Sequence, residues 1–100
     1  MKQILIVCNM GISSTLLKKE IEKEADNDEV KVHVSDVAGV DELMEAEKVD
    51  AILVSPQIGF LETTYQRKYG DLAYVTLIDD ADFVNLNGKA ILAKTLKAID

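Results

Sequence analysis

One hundred residues, 48% of them hydrophobic and 29% charged, make a single domain over residues 1–100. With 11 Lys and Arg against 18 Asp and Glu, the net charge is −7, which argues against a nucleic-acid binder and against docking on an anionic membrane. A lone cysteine, Cys8, excludes a disulfide framework and a zinc site built on several thiolates, and it fits a reducing, cytoplasmic compartment.

The run Ile4-Leu5-Ile6-Val7 predicts a strand buried on both faces, as in a parallel sheet covered by helices. It is far too short for the h-region of a signal peptide, and no run approaches the roughly 20 apolar residues of a membrane span. After a small, polar segment from Cys8 to Thr15, Leu16, Leu17, Ile21 and Ala25 recur at helical spacing up to Asn27-Asp28. Val30, Val32 and Val34 alternate with Lys31, His33 and Ser35, the pattern of a half-exposed edge strand. Asp41 to Lys48 reads as a short helix with Leu43 and Met44 inward and Asp41 at its N-cap.

Ala51 to Val54 repeats the buried-strand signature, and Ser55-Pro56-Gln57 breaks it. Phe60 to Tyr69 predicts a helix closed by Gly70, with Tyr65 and Tyr69 on its inner face. Leu72 to Ile78 predicts a fourth strand, and Asp79 to Leu86 a solvated acidic loop with a short turn at most, although Asp79, Asp80 and Asp82, as carboxylates at a strand's C-terminal end, could also supply a general acid. Asn87 or Gly88 opens a last helix with Ile91, Leu92, Leu96 and Ile99 facing the core and Lys94 and Lys97 near its C-terminal end.

This alternation is the α/β pattern: a four-stranded parallel open sheet, order 2-1-3-4, with helices on both faces. Ligands of such sheets bind beyond the carboxyl ends of the strands where the strand order switches, here between strands 1 and 3. Cys8 ends the first of these strands and Ser55-Pro56-Gln57 the second.

The segment Cys8-Asn9-Met10-Gly11-Ile12-Ser13-Ser14-Thr15 carries the chemistry. Gly11 lets successive N–H groups converge beside a helix N-terminus, which makes an anion nest. Ser13, Ser14 and Thr15 add hydroxyl donors, and Cys8 supplies a nucleophile at the rim. The competing reading makes Cys8 a small buried filler and the serines helix caps. The segment is no Walker A loop. Cysteine-dependent tyrosine phosphatases place an arginine six residues after the nucleophile, where this chain has Ser14. A phosphoryl carrier, a small phosphatase or arsenate reductase, and a non-catalytic signalling module all remain open on these residues.

The chain resembles the lactose/cellobiose-type IIB component of the bacterial phosphoenolpyruvate-dependent sugar phosphotransferase system. The resemblance rests on Ile4-Leu5-Ile6-Val7-Cys8, the Gly11 to Thr15 loop, Val54-Ser55-Pro56-Gln57-Ile58 and Asn87-Gly88-Lys89-Ala90, and it extends over essentially the whole chain. It implies a phosphotransferase without cofactor or metal. Cys8 takes a phosphoryl group from phosphohistidine on a IIA protein, and the Asn9 to Thr15 loop holds that group. A sugar bound by the membrane-embedded IIC permease then receives it, while the protein itself stays cytoplasmic at the inner face of the membrane without inserting. Family members often carry Tyr-Gly where this chain has Phe83-Val84.

Donor and acceptor must meet the same sulfur, so both are expected at one rim formed by Asn9, Met10, Ile12, Gln57 and Ile58. Gln57, beside Pro56, is a second contact to the phosphoryl group or simply the end of a turn. His33, the only histidine, reads as an exposed bystander. The sugar itself is open: cellobiose, lactose, chitobiose and aromatic glucosides all fit.

Overall fold

The computed structural model describes residues 1–9, 12–25 and 30–100, the side chain of Ile12 apart. Met10 and Gly11 of the cysteine loop, and the expected helix end at Asn27-Asp28, lie outside the described residues.

The strands are β1 (Lys2–Val7), β2 (Val30–Ser35), β3 (Ala51–Val54) and β4 (Tyr74–Leu77). All pairings are parallel and the order is β2-β1-β3-β4, as the hydrophobic pattern predicts. The helices are α1 (Ile12–Glu24), α2 (Val40–Ala46), α3 (Glu62–Tyr69), α4 (Asp80–Val84) and α5 (Gly88–Ile99), with 3₁₀ segments at Val37–Gly39 and Pro56–Leu61.

Alternation along β1 splits the core into two layers. Ile4 and Ile6 pack with Leu17 and Ile21 of α1 and with Ile91 and Leu92 of α5. Leu5 and Val7 face the other way, onto Val40, Ile58, Tyr65 and Tyr69. Each fully buried Ile or Leu contributes roughly 1.5–3 kcal/mol, so the central strands β1 and β3 are firmly held. Among the described residues no helix is long and apolar enough to cross a membrane.

Several expectations are corrected in detail. Leu16 is exposed, and only Leu17, Ile21 and Ala25 of the proposed stripe are buried. Asp41 is not the N-cap of α2 but lies in its first turn; the N-cap is Gly39, and the side-chain cap belongs to the preceding 3₁₀ segment, where Asp36 Oδ1 accepts from the Gly39 N–H at 2.9 Å. Asp41 instead receives Lys68 Nζ at 2.8 Å and the Tyr69 hydroxyl. The helix expected from Phe60 is a 3₁₀ segment up to Leu61, because Pro56 opens it and Ile58 has non-helical angles. β4 starts at Tyr74: the N–H groups of Leu72 and Ala73 close α3 by donating to Tyr69 O, each at 2.9 Å.

The acidic stretch is no plain loop. Asp79 caps α4, with Oδ1 accepting from Ala81 N–H at 2.9 Å and Asp82 N–H at 3.3 Å. Asp82 then holds Lys94 Nζ at 2.8 Å, tying α4 to α5. Asn87 caps α5 by accepting from the Ala90 N–H at 3.1 Å. Between the two helices Leu86 stands in the left-handed region, φ 51°, and its side chain packs against the α1/α5 layer. That burial offsets the backbone strain of a non-glycine residue there.

Candidate functional site

Strand order places the carboxyl ends of β1 and β3 side by side. Val7 pairs with Val54, so Cys8 and Ser55 are the next residues on adjacent parallel strands. The Cys8 N–H donates to Ser35 O at 3.1 Å and the Ser55 N–H to Val7 O at 2.9 Å, which extends the ladder under both residues. The Cys8 thiol lies 4.0 Å from Ser35 O and is 1% exposed, so the sulfur is covered rather than presented to solvent.

The chain re-enters helix at Ile12, and the N-terminal turn of α1 thus lies at the same end of the sheet as Cys8. The partial positive charge of a helix N-terminus favours an anion there. Of the three hydroxyl residues, Ser13 and Thr15 are exposed and Ser14 is buried, its side chain turned into the core. Asn9 is exposed.

A cleft of about 530 Å³ opens at this end, lined by Ser13, Pro56, Gln57, Asp80, Phe83, Val84 and Leu86. Three connections therefore meet: Ser13 after β1, Pro56-Gln57 after β3, and the α4 wall after β4. Gln57 is exposed, whereas Ile58, expected at the rim, is buried beneath it. Phe60, in the 3₁₀ segment after β3, and Val84, on the cleft, are exposed apolar residues, at 78% and 77%. Sequence reasoning missed the exposure of Phe60 and the place of Leu86 on the cleft; Asp80 is among the carboxylates it offers as a general acid, and Val84 belongs to the pair that departs from the family's Tyr-Gly. Gly59 next to Phe60, breaking a helical period after Pro56, was the available signal for that exposure.

Charge around the cleft is acidic or neutral. The sole arginine, Arg67, sits in the last turn of α3, which leads to the start of β4 and hence to the opposite end of the sheet. Nothing guanidinium-bearing stands beside Cys8.

His33 is mid-strand, in register with Leu5, away from the strand ends. It is half-buried rather than a free bystander: its Nε2–H donates to Gln3 Oε1 at 2.8 Å. Burial, reinforced by the neighbouring Lys31 ammonium, pushes its pKa below the ordinary 6.5.

Comparison with known proteins agrees with this geometry. Residues 3–94 match the family model of the phosphotransferase-system lactose/cellobiose-specific IIB subunit. The oligo-β-mannoside-specific EIIB component of Bacillus subtilis (strain 168) is 29% identical over 68 residues, covering 68% of this chain and 66% of that relative's length. The solution structure of the cellobiose-specific phosphotransferase IIB component from Borrelia burgdorferi shares the fold, with a TM-score of 0.68 and 22% identity over 98% of this chain and 91% of that one. With 3–94 matched to one family model, the chain belongs to the lactose/cellobiose-specific IIB family of the phosphotransferase system.

Proposed function

We propose that Cys8 is the phosphoryl carrier of this IIB protein, charged by phosphohistidine on a IIA partner and discharged to a sugar held by a IIC permease. The observation that carries the reading is the place of Cys8: just past the end of β1, at the switch in strand order, at the end of the sheet where α1 begins, and next in register to Ser55, whose successors Pro56 and Gln57 line the cleft. In the first step the Cys8 thiolate attacks phosphorus. An S–P bond forms, the N–P bond of the donor breaks, and the imidazole nitrogen keeps the electron pair, while the thiol's proton leaves to solvent or to that imidazole. In the second step a sugar hydroxyl oxygen attacks phosphorus. The S–P bond breaks, sulfur recovers its pair, and the hydroxyl proton passes to a base on the acceptor side.

Because the sulfur is covered, each partner must open the site locally to reach it, which couples binding to access. The sugars after which the two relatives are named, oligo-β-mannoside and cellobiose, support a β-linked sugar as the acceptor class. The protein works at the cytoplasmic face, where donor and permease meet.

A cysteine phosphatase would need a charged clamp for the oxygens of its transition state. Arginine supplies that clamp in fixed bidentate geometry, and losing one typically costs several kcal/mol, on the order of 10³-fold in rate. Here the only arginine is on α3. A carrier gains from this, since phosphocysteine must persist until the sugar arrives. The test follows aryl phosphate turnover beside the lifetime of phosphorylated Cys8. A persistent phosphocysteine with slow or absent turnover is expected. Fast multiple turnover, abolished by Cys8→Ser, would make the protein a phosphatase, with Asp80 on the cleft wall as the natural general acid.

A further inference from the structure

Ser55 does something unusual for a serine in its position. It occupies the N-cap of the 3₁₀ segment that Pro56 opens, yet its side chain makes no capping bond. An N-cap serine ordinarily accepts from a backbone N–H of the turn it precedes. Here the Ile58 N–H goes to the Ser55 carbonyl oxygen at 3.1 Å. The hydroxyl donates instead to Oε1 of Gln57 at 3.3 Å. Ser55 is fully buried, whereas Gln57 is exposed on the cleft wall. Burying a hydroxyl is costly unless it is hydrogen-bonded, so this one is committed to holding a surface side chain.

A carboxamide has one accepting end and one donating end. With Oε1 turned inward onto the Ser55 hydroxyl, the Nε2 amino group is the end directed away from it, toward the cleft. Ser55 also stands directly beside Cys8 on the neighbouring strand. We propose that Ser55 is a positioning residue, which orients the Gln57 carboxamide so that its NH₂ donates to the oxygens of the phosphoryl group on Cys8. The proposal rests on the reading of Cys8 as the carrier. During transfer the S–P bond forms as the donor's N–P bond breaks, and the three non-bridging oxygens keep their negative charge throughout. A neutral donor fixed beside them stabilises that charge without the clamp that would speed hydrolysis.

Phosphoryl gain on Cys8 is timed by intact mass for wild type, Ser55→Ala, Gln57→Ala and the double variant, with a phosphohistidine-bearing IIA protein of a lactose/cellobiose-type system as donor. Loss of one well-placed hydrogen bond slows transfer by about two- to tenfold. Gln57→Ala is expected about tenfold slow and Ser55→Ala several-fold slow. The double variant should be no slower than Gln57→Ala alone, because Ser55 acts only through Gln57. Independent, multiplying losses, or a Ser55→Ala rate equal to wild type, would overturn the proposal. Should Ser55→Ala fail to fold, Gln57→Glu serves: it keeps an acceptor for Ser55 but replaces the NH₂ by oxygen. It is expected to transfer at least as slowly as Gln57→Ala, and a wild-type rate overturns the proposal. Wild type that takes no phosphate on Cys8 overturns the carrier reading and this proposal with it. A phosphorylated wild type with an unaffected Ser55→Ala overturns this proposal alone.

Discussion

Gly88→Ala is expected to destabilise the fold even though it replaces a helical glycine by the best helix former. Gly88 is the first residue of α5 and is buried. A Cβ built there lies 2.6 Å from the Glu20 carbonyl carbon, 2.7 Å from its oxygen and 2.8 Å from the Ile21 nitrogen. These are backbone atoms of α1, so no rotamer change relieves them. α5 must draw back by several tenths of an ångström, and a gap of roughly 0.5–1 Å forfeits a quarter to a half of the dispersion attraction of the atoms across it. Ile91 and Leu92 would loosen against Leu17 and Ile21, the seam of one core layer. Such overpacking costs about 1–3 kcal/mol. Against it stands the propensity gain of Ala over Gly, at most about 1 kcal/mol and smaller in a first turn. The steric term wins, for a net loss of about 1–2 kcal/mol, or a Tm lower by about 4–16 °C in a domain of this size. Urea unfolding followed by far-UV circular dichroism measures it. Gly59→Ala is the control, since its Cβ meets only the two methyls of the Leu77 side chain, Cδ1 at 3.2 Å and Cδ2 at 3.7 Å, and that half-exposed side chain can rotate away. A Gly88→Ala protein as stable as wild type would refute the close approach of α1 and α5.

His33 should titrate below 6.5, with burial the main cause and the Lys31 charge second. A lowered histidine pKa means that its contribution to stability is present above 6.5 and is lost as pH falls from there through the folded-state value. An NMR titration midpoint at or above 6.5, or a His33→Gln variant that keeps the wild-type pH dependence in this window, would contradict it. Tyr65 is buried, and its hydroxyl has no partner among the described residues. Its phenol is pushed above the ordinary 10, by burial first and by Asp41 second. Tyr65→Phe should therefore be neutral or stabilising by about 1 kcal/mol, and a loss of more than that on chemical unfolding would mean the hydroxyl has a partner.

The sheet was legible because its signals are local and strong. Ile4 to Val7 and Ala51 to Val54 are short unbroken apolar runs, and the alternating valines of β2 fix an edge. From these, parallel order 2-1-3-4 and the meeting of Cys8 with the Ser55 loop follow by the rules of right-handed crossover. The walls of the cleft were not legible in the same way. Whether Ile58 or Phe60 faces the core depends on 3₁₀ rather than α-helical turns after Pro56, a choice made where Ile58 drops under Tyr65 and Val54. α4 is five residues long and exists because Asp79 caps it and Asp82 reaches Lys94, twelve positions away. The bond from Ser55 to Gln57 spans only two residues, yet serine before proline ordinarily signals backbone capping and gives no hint of it.

Intact-mass measurement, with peptide mapping at neutral pH, tests the central claim most directly. The protein is incubated with a phosphorylated IIA protein of a lactose/cellobiose-type system and quenched at intervals. The expected result is a gain of one phosphoryl group, mapped to Cys8, stable in the absence of sugar and permease, and missing from a Cys8→Ser protein whose circular dichroism matches wild type. Phosphate on His33, or equal phosphorylation of the Cys8→Ser protein, would contradict the account.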